Sequence, residues 1–161
     1  MRKILEVFGL GALAGLALLT MRAFYGPARL PARIPTHFAA NGRPDAWGSS
    51  ILLLTFPAMA VGLHLFMTVV AHYPSAFNYP VRVTPANHAR LENLALDMIA
   101  WLKSELAWLF ALLEWFAVRA AQQTGHGIPV LLMPVALAAI FGAIAWHVAA
   151  MFRAGRTPSS R

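Results

Sequence analysis

The chain has 161 residues, of which 59% are hydrophobic and 12% are charged. A typical soluble domain is about 45–50% apolar and about 25% charged, so this chain is too poor in charge to cover its own surface in water, and too apolar to be disordered. The net charge is +7 and there is no cysteine, which excludes disulfides, thiolate catalysis, Cys-ligated zinc and iron–sulfur clusters. The Lys and Arg residues stand mostly at the ends of apolar runs and form no basic aromatic stripe. A nucleic-acid partner is therefore excluded, and a lipid bilayer is the expected surrounding.

Met1-Arg2-Lys3 opens a positive segment, followed by an apolar run that predicts a first span over about 4–24. A cleaved signal peptide is a poorer reading, because of Glu6, the length of the run and the lack of a small-x-small cleavage site. Gly11 and Gly15 form a GxxxG pair, expected to let another helix of the chain approach.

Residues 25–50 differ in kind. Pro27, Pro31, Pro35 and Pro44 with Gly26, Gly42 and Gly48 predict a Pro/Gly-rich loop, while Ile34, Phe38 and Trp47 give it apolar anchors and hence order. A second span is expected over 51–73, with a kink at Pro57, and with His64 and His72 as its ionisable groups. After a second loop, either Thr84 caps a helix beginning near Pro85 or Asn87 caps one starting just after it.

The third apolar segment is too long for one bilayer crossing and carries Asp97, Lys103, Glu105 and Glu114. It divides into an interfacial part, 88–104, and a spanning part from 105, within a third helix over 94–122. Lys103 is expected to be solvated at the interface. Trp101, Trp108 and Trp115 recur every seven residues along one face, first as a packing seam or interface anchor and otherwise as a groove for a pigment, quinone or lipid, with nothing that selects a cofactor. A polar turn at 122–127 makes the third and fourth helices antiparallel neighbours, the fourth span covering 128–152 with Pro129 in its first turn and Pro134 a turn inside.

The expected fold is thus an all-α integral membrane protein, one membrane domain over 1–161 with four transmembrane helices and a structured loop between the first two. Seven Lys and Arg (Arg2, Lys3, Arg82, Arg90, Arg153, Arg156, Arg161) fall on the side of the termini. Five (Arg22, Arg29, Arg33, Arg43, Arg119) fall on the other, which places both termini in the cytoplasm.

The segment Leu30-Pro31-Ala32-Arg33-Ile34-Pro35-Thr36-His37-Phe38, continued by Asn41-Gly42-Arg43-Pro44-Asp45-Ala46-Trp47-Gly48-Ser49, resembles the signature of the DUF1648 family. That domain occurs at the N-terminus of SdpI-like bacterial immunity proteins, between their first two spans. His37, Gly42, Pro44, Asp45, Trp47 and Gly48 stand at matching positions, whereas the family's common Asn is Ala39 and its closing basic residue is Ser50. The resemblance implies a bacterial cytoplasmic membrane location, with immunity as a concrete version of the function.

His37, Asn41, Asp45 and Trp47 are the recognition candidates. They read either as a structural cap that satisfies backbone groups freed by the prolines, as a surface for a peptide, toxin or protein partner, or as a metal site short of ligands. His64, Glu114 and His147 are the intramembrane polar candidates. Glu114 lies near the middle of the third span and needs a donor, for which His64 and His147 are available. No HExxH, GxSxG or glycine-rich phosphate loop is present, so no catalytic residue, cofactor or metal is assigned. Non-enzymatic recognition through the 25–50 loop is the leading expectation. The alternatives are a small ion- or proton-coupled transporter, possible as a homo-oligomer, that uses Glu114 and the histidines, and a metal-dependent enzyme.

Overall fold

The computed structural model describes residues 1–27, 29–122 and 127–156. Four long helices account for most of them: α1 (Arg2–Tyr25), α2 (Thr55–Ala71), α3 (His88–Ala121) and α4 (Leu132–Gly155). Between α1 and α2 lie two strands, β1 (Arg33–Phe38) and β2 (Pro44–Ser49), and a 3₁₀ turn over Ser50–Leu54. The loop expected in an all-α chain is therefore an antiparallel hairpin. Its register pairs Arg33 with Ser49 and Ile34 with Gly48, and is interrupted between Pro35 and Phe38. Pro35 and Pro44, which signalled a loop, are tolerated because a two-stranded sheet has only edge strands and the irregularity spares the missing donors.

Among the described residues, three helical segments are long and apolar enough to cross a membrane, Arg2–Tyr25, Ser50–Ala71 and Leu132–Gly155. They expose large apolar side chains: Ile4, Val7 and Leu18 on α1, Leu65 and Phe66 on α2, Val135 and Phe141 on α4. The buried groups include His64, Lys103, Ser104, Glu114 and His147. Apolar side chains outside and polar ones inside is the reverse of the pattern water selects.

α3 is the exception to this rule and its explanation. It touches each of the other three helices, and eleven of its residues are buried, among them six alanines. Small side chains let neighbours close around it, so its charges meet protein rather than lipid. It runs parallel to α1, with Asp97 beside Arg2 and Glu114 beside Thr20, and antiparallel to α4, with Leu91 and Ala95 against Met151 and Ala154. The helix is unbroken from 88 to 121, about 51 Å long. Its first two turns project past the start of α1 and form a small core with Phe77, Tyr79 and Val81. Asn87 stands at the N-cap position, the second of the two starts expected, but its side chain does not cap the helix; it accepts the Thr84 N–H and donates to the Arg82 carbonyl.

Local expectations are corrected at three places. Pro57 and Pro134 both fall in the first turn of their helices, where the missing N–H has no partner to lose, so Pro134 is not a turn inside α4. Pro129 precedes α4. Gly11 and Gly15 face open space; it is Gly9 and Ala12 that bring α1 close to α3, and a Cβ at Gly9 would come within 3.3 Å of Ser104 Cα. The polar turn expected at 122–127 lies largely outside the described residues.

Candidate functional site

The hairpin is held against the bundle at its base and at its tip. At the base, buried Ile34 joins Ala23 of α1, Leu53, and Ala117, Val118 and Ala121 of α3 in one apolar cluster. At the tip, Ala39 N–H donates to the Arg43 carbonyl, Gly42 N–H to the Ala39 carbonyl, and Asn41 Oδ1 accepts the Arg43 N–H at 3.0 Å. This turn holds Gly42 at φ 76°, and its carbonyl accepts the Ile128 N–H at 3.0 Å. Gly127, at φ 100°, lies against that same carbonyl; a Cβ on either glycine would collide with the other strand of this junction. A loop of the first half is thereby locked, backbone to backbone, to the connection between α3 and α4.

Behind the hairpin opens a cleft of 740 Å³, lined mainly by apolar side chains, including Ile34, Phe38, Phe56, Leu113, Val130 and Met133. His37 stands on its wall, and its Nδ1 donates to Asp45 Oδ1 at 2.5 Å. The two side chains are 68% and 46% exposed. The pair contributes little to stability at that exposure, about 0–1 kcal/mol, and it fixes the imidazole with Nε2 as its remaining hydrogen-bonding atom. Trp47 is exposed, and its carbonyl accepts from Arg33 at 3.0 Å. His37, Asp45 and Trp47 are thus brought to one hairpin, while Asn41 is spent on the turn. Among the described residues, no group of three or more His, Asp or Glu side chains is placed to hold a metal ion.

The intramembrane candidates do not converge. His64 sits beside Glu6 of α1, its Nε2 4.0 Å from Glu6 Oε2. Glu6 in turn accepts from Lys103 Nζ with both oxygens, at 2.9 and 2.7 Å, and Lys103 is only 5% exposed. Lys103 is therefore the buried member of an ion pair between α1 and α3 whose Glu6 side chain is 38% exposed, and not a solvated interfacial residue. Glu114 is fully buried and its Oε1 lies 2.7 Å from Thr20 Oγ1, so its partner is a hydroxyl of α1 in place of His64 or His147. Glu114 lies eleven residues beyond Lys103, about 16 Å along α3. His147 donates from Nδ1 to the Ala143 carbonyl at 2.7 Å. With Arg2, which bonds both Asp97 (2.8 Å) and Asn93 (2.6 Å), the α1–α3 seam carries three polar ties.

Sequence reading missed Glu6 and Thr20 as partners. The signal available was periodicity on α1, where Arg2, Glu6, Gly9 and Thr20 share one face; their neighbours on α3, Asp97, Lys103, Ser104 and Glu114, follow at other intervals. The tryptophan series divides, with Trp108 stacked on Phe8 at 4.9 Å and the Arg119 guanidinium 5.9 Å above the Trp115 ring.

No solved structure matches the chain. An uncharacterized protein of the archaeon Archaeoglobus fulgidus is 34% identical to it over 76 residues, a stretch that covers 42% of this chain and 42% of that protein. The chain thus spans under half the length of the relative it resembles. Residues 12–61, which hold most of α1, the whole hairpin and the start of α2, match the family described as Domain of unknown function (DUF1648).

Proposed function

We propose that the protein is a four-span protein of the cytoplasmic membrane whose hairpin, on the outer face, recognises a peptide, a protein or a membrane-active toxin. SdpI-like immunity is the concrete form of this reading. α3 counts as the fourth span on this view because α1, α2 and α4 screen its charges. The observation that carries the proposal is the apolar cleft behind the hairpin, with the oriented His37–Asp45 pair on its wall. Apolar side chains of a ligand would fill the cleft. The ring Nε2 and the free edges of a two-stranded sheet would supply the polar contacts, the latter by strand addition. Transport draws less support, because Glu114 and His64 are each tied to a different partner and stand far apart along the bundle.

A photo-crosslinking residue at Val130, on the cleft wall, tests this in living cells. A discrete adduct is expected from the otherwise unaltered protein, and its loss is expected with His37→Ala or Asp45→Ala at unchanged protein level. Adducts identical in all three, or none at all, would sink the recognition role and leave the hairpin as a cap.

A further inference from the structure

A second site lies on the opposite flank of α3, toward the N-terminal end of α1. A crevice of 300 Å³ there is lined by Met1, Trp101, Glu105, Ala139, Trp146 and His147 among others. His147 is 2% exposed. Its Nδ1 faces a carbonyl, which only accepts, so Nδ1 carries the proton and Nε2 is a lone-pair acceptor. That Nε2 has no hydrogen-bond partner, and neither has the buried Glu105 Oε2. Of the five buried polar atoms without a partner among the described residues, two thus belong to this one crevice, the others being His64 Nδ1, Tyr79 Oη and Glu114 Oε2, and no Lys or Arg is among the described residues that line it. Buried polar atoms are satisfied in the great majority of proteins, so the pair points to a ligand that brings donors. Two indole rings at the same crevice favour a cationic one.

The crevice continues into an apolar groove of 370 Å³ between α1, α3 and α4; the two share Trp101, Glu105 and Ala139. The groove reaches Leu112 and Leu132. From His147 to Leu132 the combined space extends about 22 Å along α4, over half a hydrocarbon core of about 30 Å. The polar part lies toward the start of α1 and the apolar part toward the bundle's middle, as head and tail lie in one leaflet.

We infer that this crevice and groove bind an amphiphile with a primary ammonium head and a hydrocarbon chain, supplied by the bilayer as phosphatidylethanolamine. The ammonium would donate to Glu105 and His147 between the two indoles, and one acyl chain would lie in the groove. This site shares no residue with the hairpin cleft, so either reading can fail alone.

The test is native mass spectrometry of the detergent-purified full chain titrated with dioleoyl phosphatidylethanolamine, dioleoyl phosphatidylcholine and dodecylamine. One phosphatidylethanolamine adduct is expected to bind about tenfold more tightly than phosphatidylcholine, whose head cannot donate. Glu105→Gln should remove that preference. Ala139→Leu, which fills the groove and leaves both acceptors in place, should remove the adduct while the helical circular dichroism is retained. Equal retention of the two phospholipids, or an adduct unaffected by both substitutions, overturns the inference. Tighter binding of dodecylamine than of phosphatidylethanolamine overturns the lipid as its source.

Discussion

Lys103 and Glu105 stand two residues apart on α3, about 200° around the helix, and their surroundings differ. Lys103 faces α1 and α2, where both Glu6 oxygens receive it and His64 closes the group. Glu105 faces α4 and keeps a buried oxygen without a partner, as does His147 beside it. On one side of the central helix the charge is paired within the chain, although His64 Nδ1 and Glu114 Oε2 also lack hydrogen-bond partners there; on the other, Glu105 and His147 each keep an unmet acceptor. In a bundle whose exterior is apolar, an unmet polar atom is a stronger indication of a ligand than a charge as such, because a satisfied charge ties helices together.

The largest expected effect tests the side where the charge is paired. Glu6→Ala leaves the Lys103 ammonium uncompensated; with Glu6 itself 38% exposed, the loss should lie between the about 0–1 kcal/mol of an exposed pair and the about 3–5 kcal/mol of a fully buried one. Thermal unfolding in detergent should show it as a large fall in midpoint, and Glu6→Leu with Lys103→Met should recover most of the loss. If the double variant is no better than the single one, the pair does more than neutralise itself. Thr20→Val removes the donor to Glu114 on the same seam and should cost about 1–3 kcal/mol, whereas Glu114→Gln, which keeps a hydrogen-bonding side chain, should be milder. His37→Ala breaks a carboxylate pair of similar geometry that is largely exposed, so the loss should be at most about 1 kcal/mol. A larger loss would mean that the hairpin is a structural cap. Glu105→Leu should leave the stability of the delipidated protein unchanged or raised. A loss comparable to that of Glu6→Ala would erase the contrast between the two faces.

The apolar runs of α1, α2 and α4 were legible because length and hydropathy are local properties. So was the position of the hairpin, through Asn41-Gly42 and the prolines, and the His37–Asp45 pair. The strands themselves were hidden, since the prolines that mark a turn also argue against a ladder, and only their edge position resolves that conflict. The place of α3 was misleading for a physical reason. Its charges keep it out of the set of helices apolar enough to cross a membrane, yet Lys103 and Glu114 on it are met by side chains of α1. The Glu6–Lys103 tie joins residues 97 apart in sequence, and nothing within either helix alone announces the other.

The junction of Gly42 with Gly127 and Ile128 also bears on how the bundle is assembled. A ribosome delivers the DUF1648 segment first, and its hairpin tip then lacks its backbone partner until residue 128 has emerged. The clasp can close only after α3 has been laid beside α1. It is therefore a late latch on a nearly finished bundle, and it stitches the two helical pairs together at one end. The opposite end is closed separately, by Leu91 and Ala95 against Met151 and Ala154, so the Glu105–His147 crevice lies between two closures made at different stages.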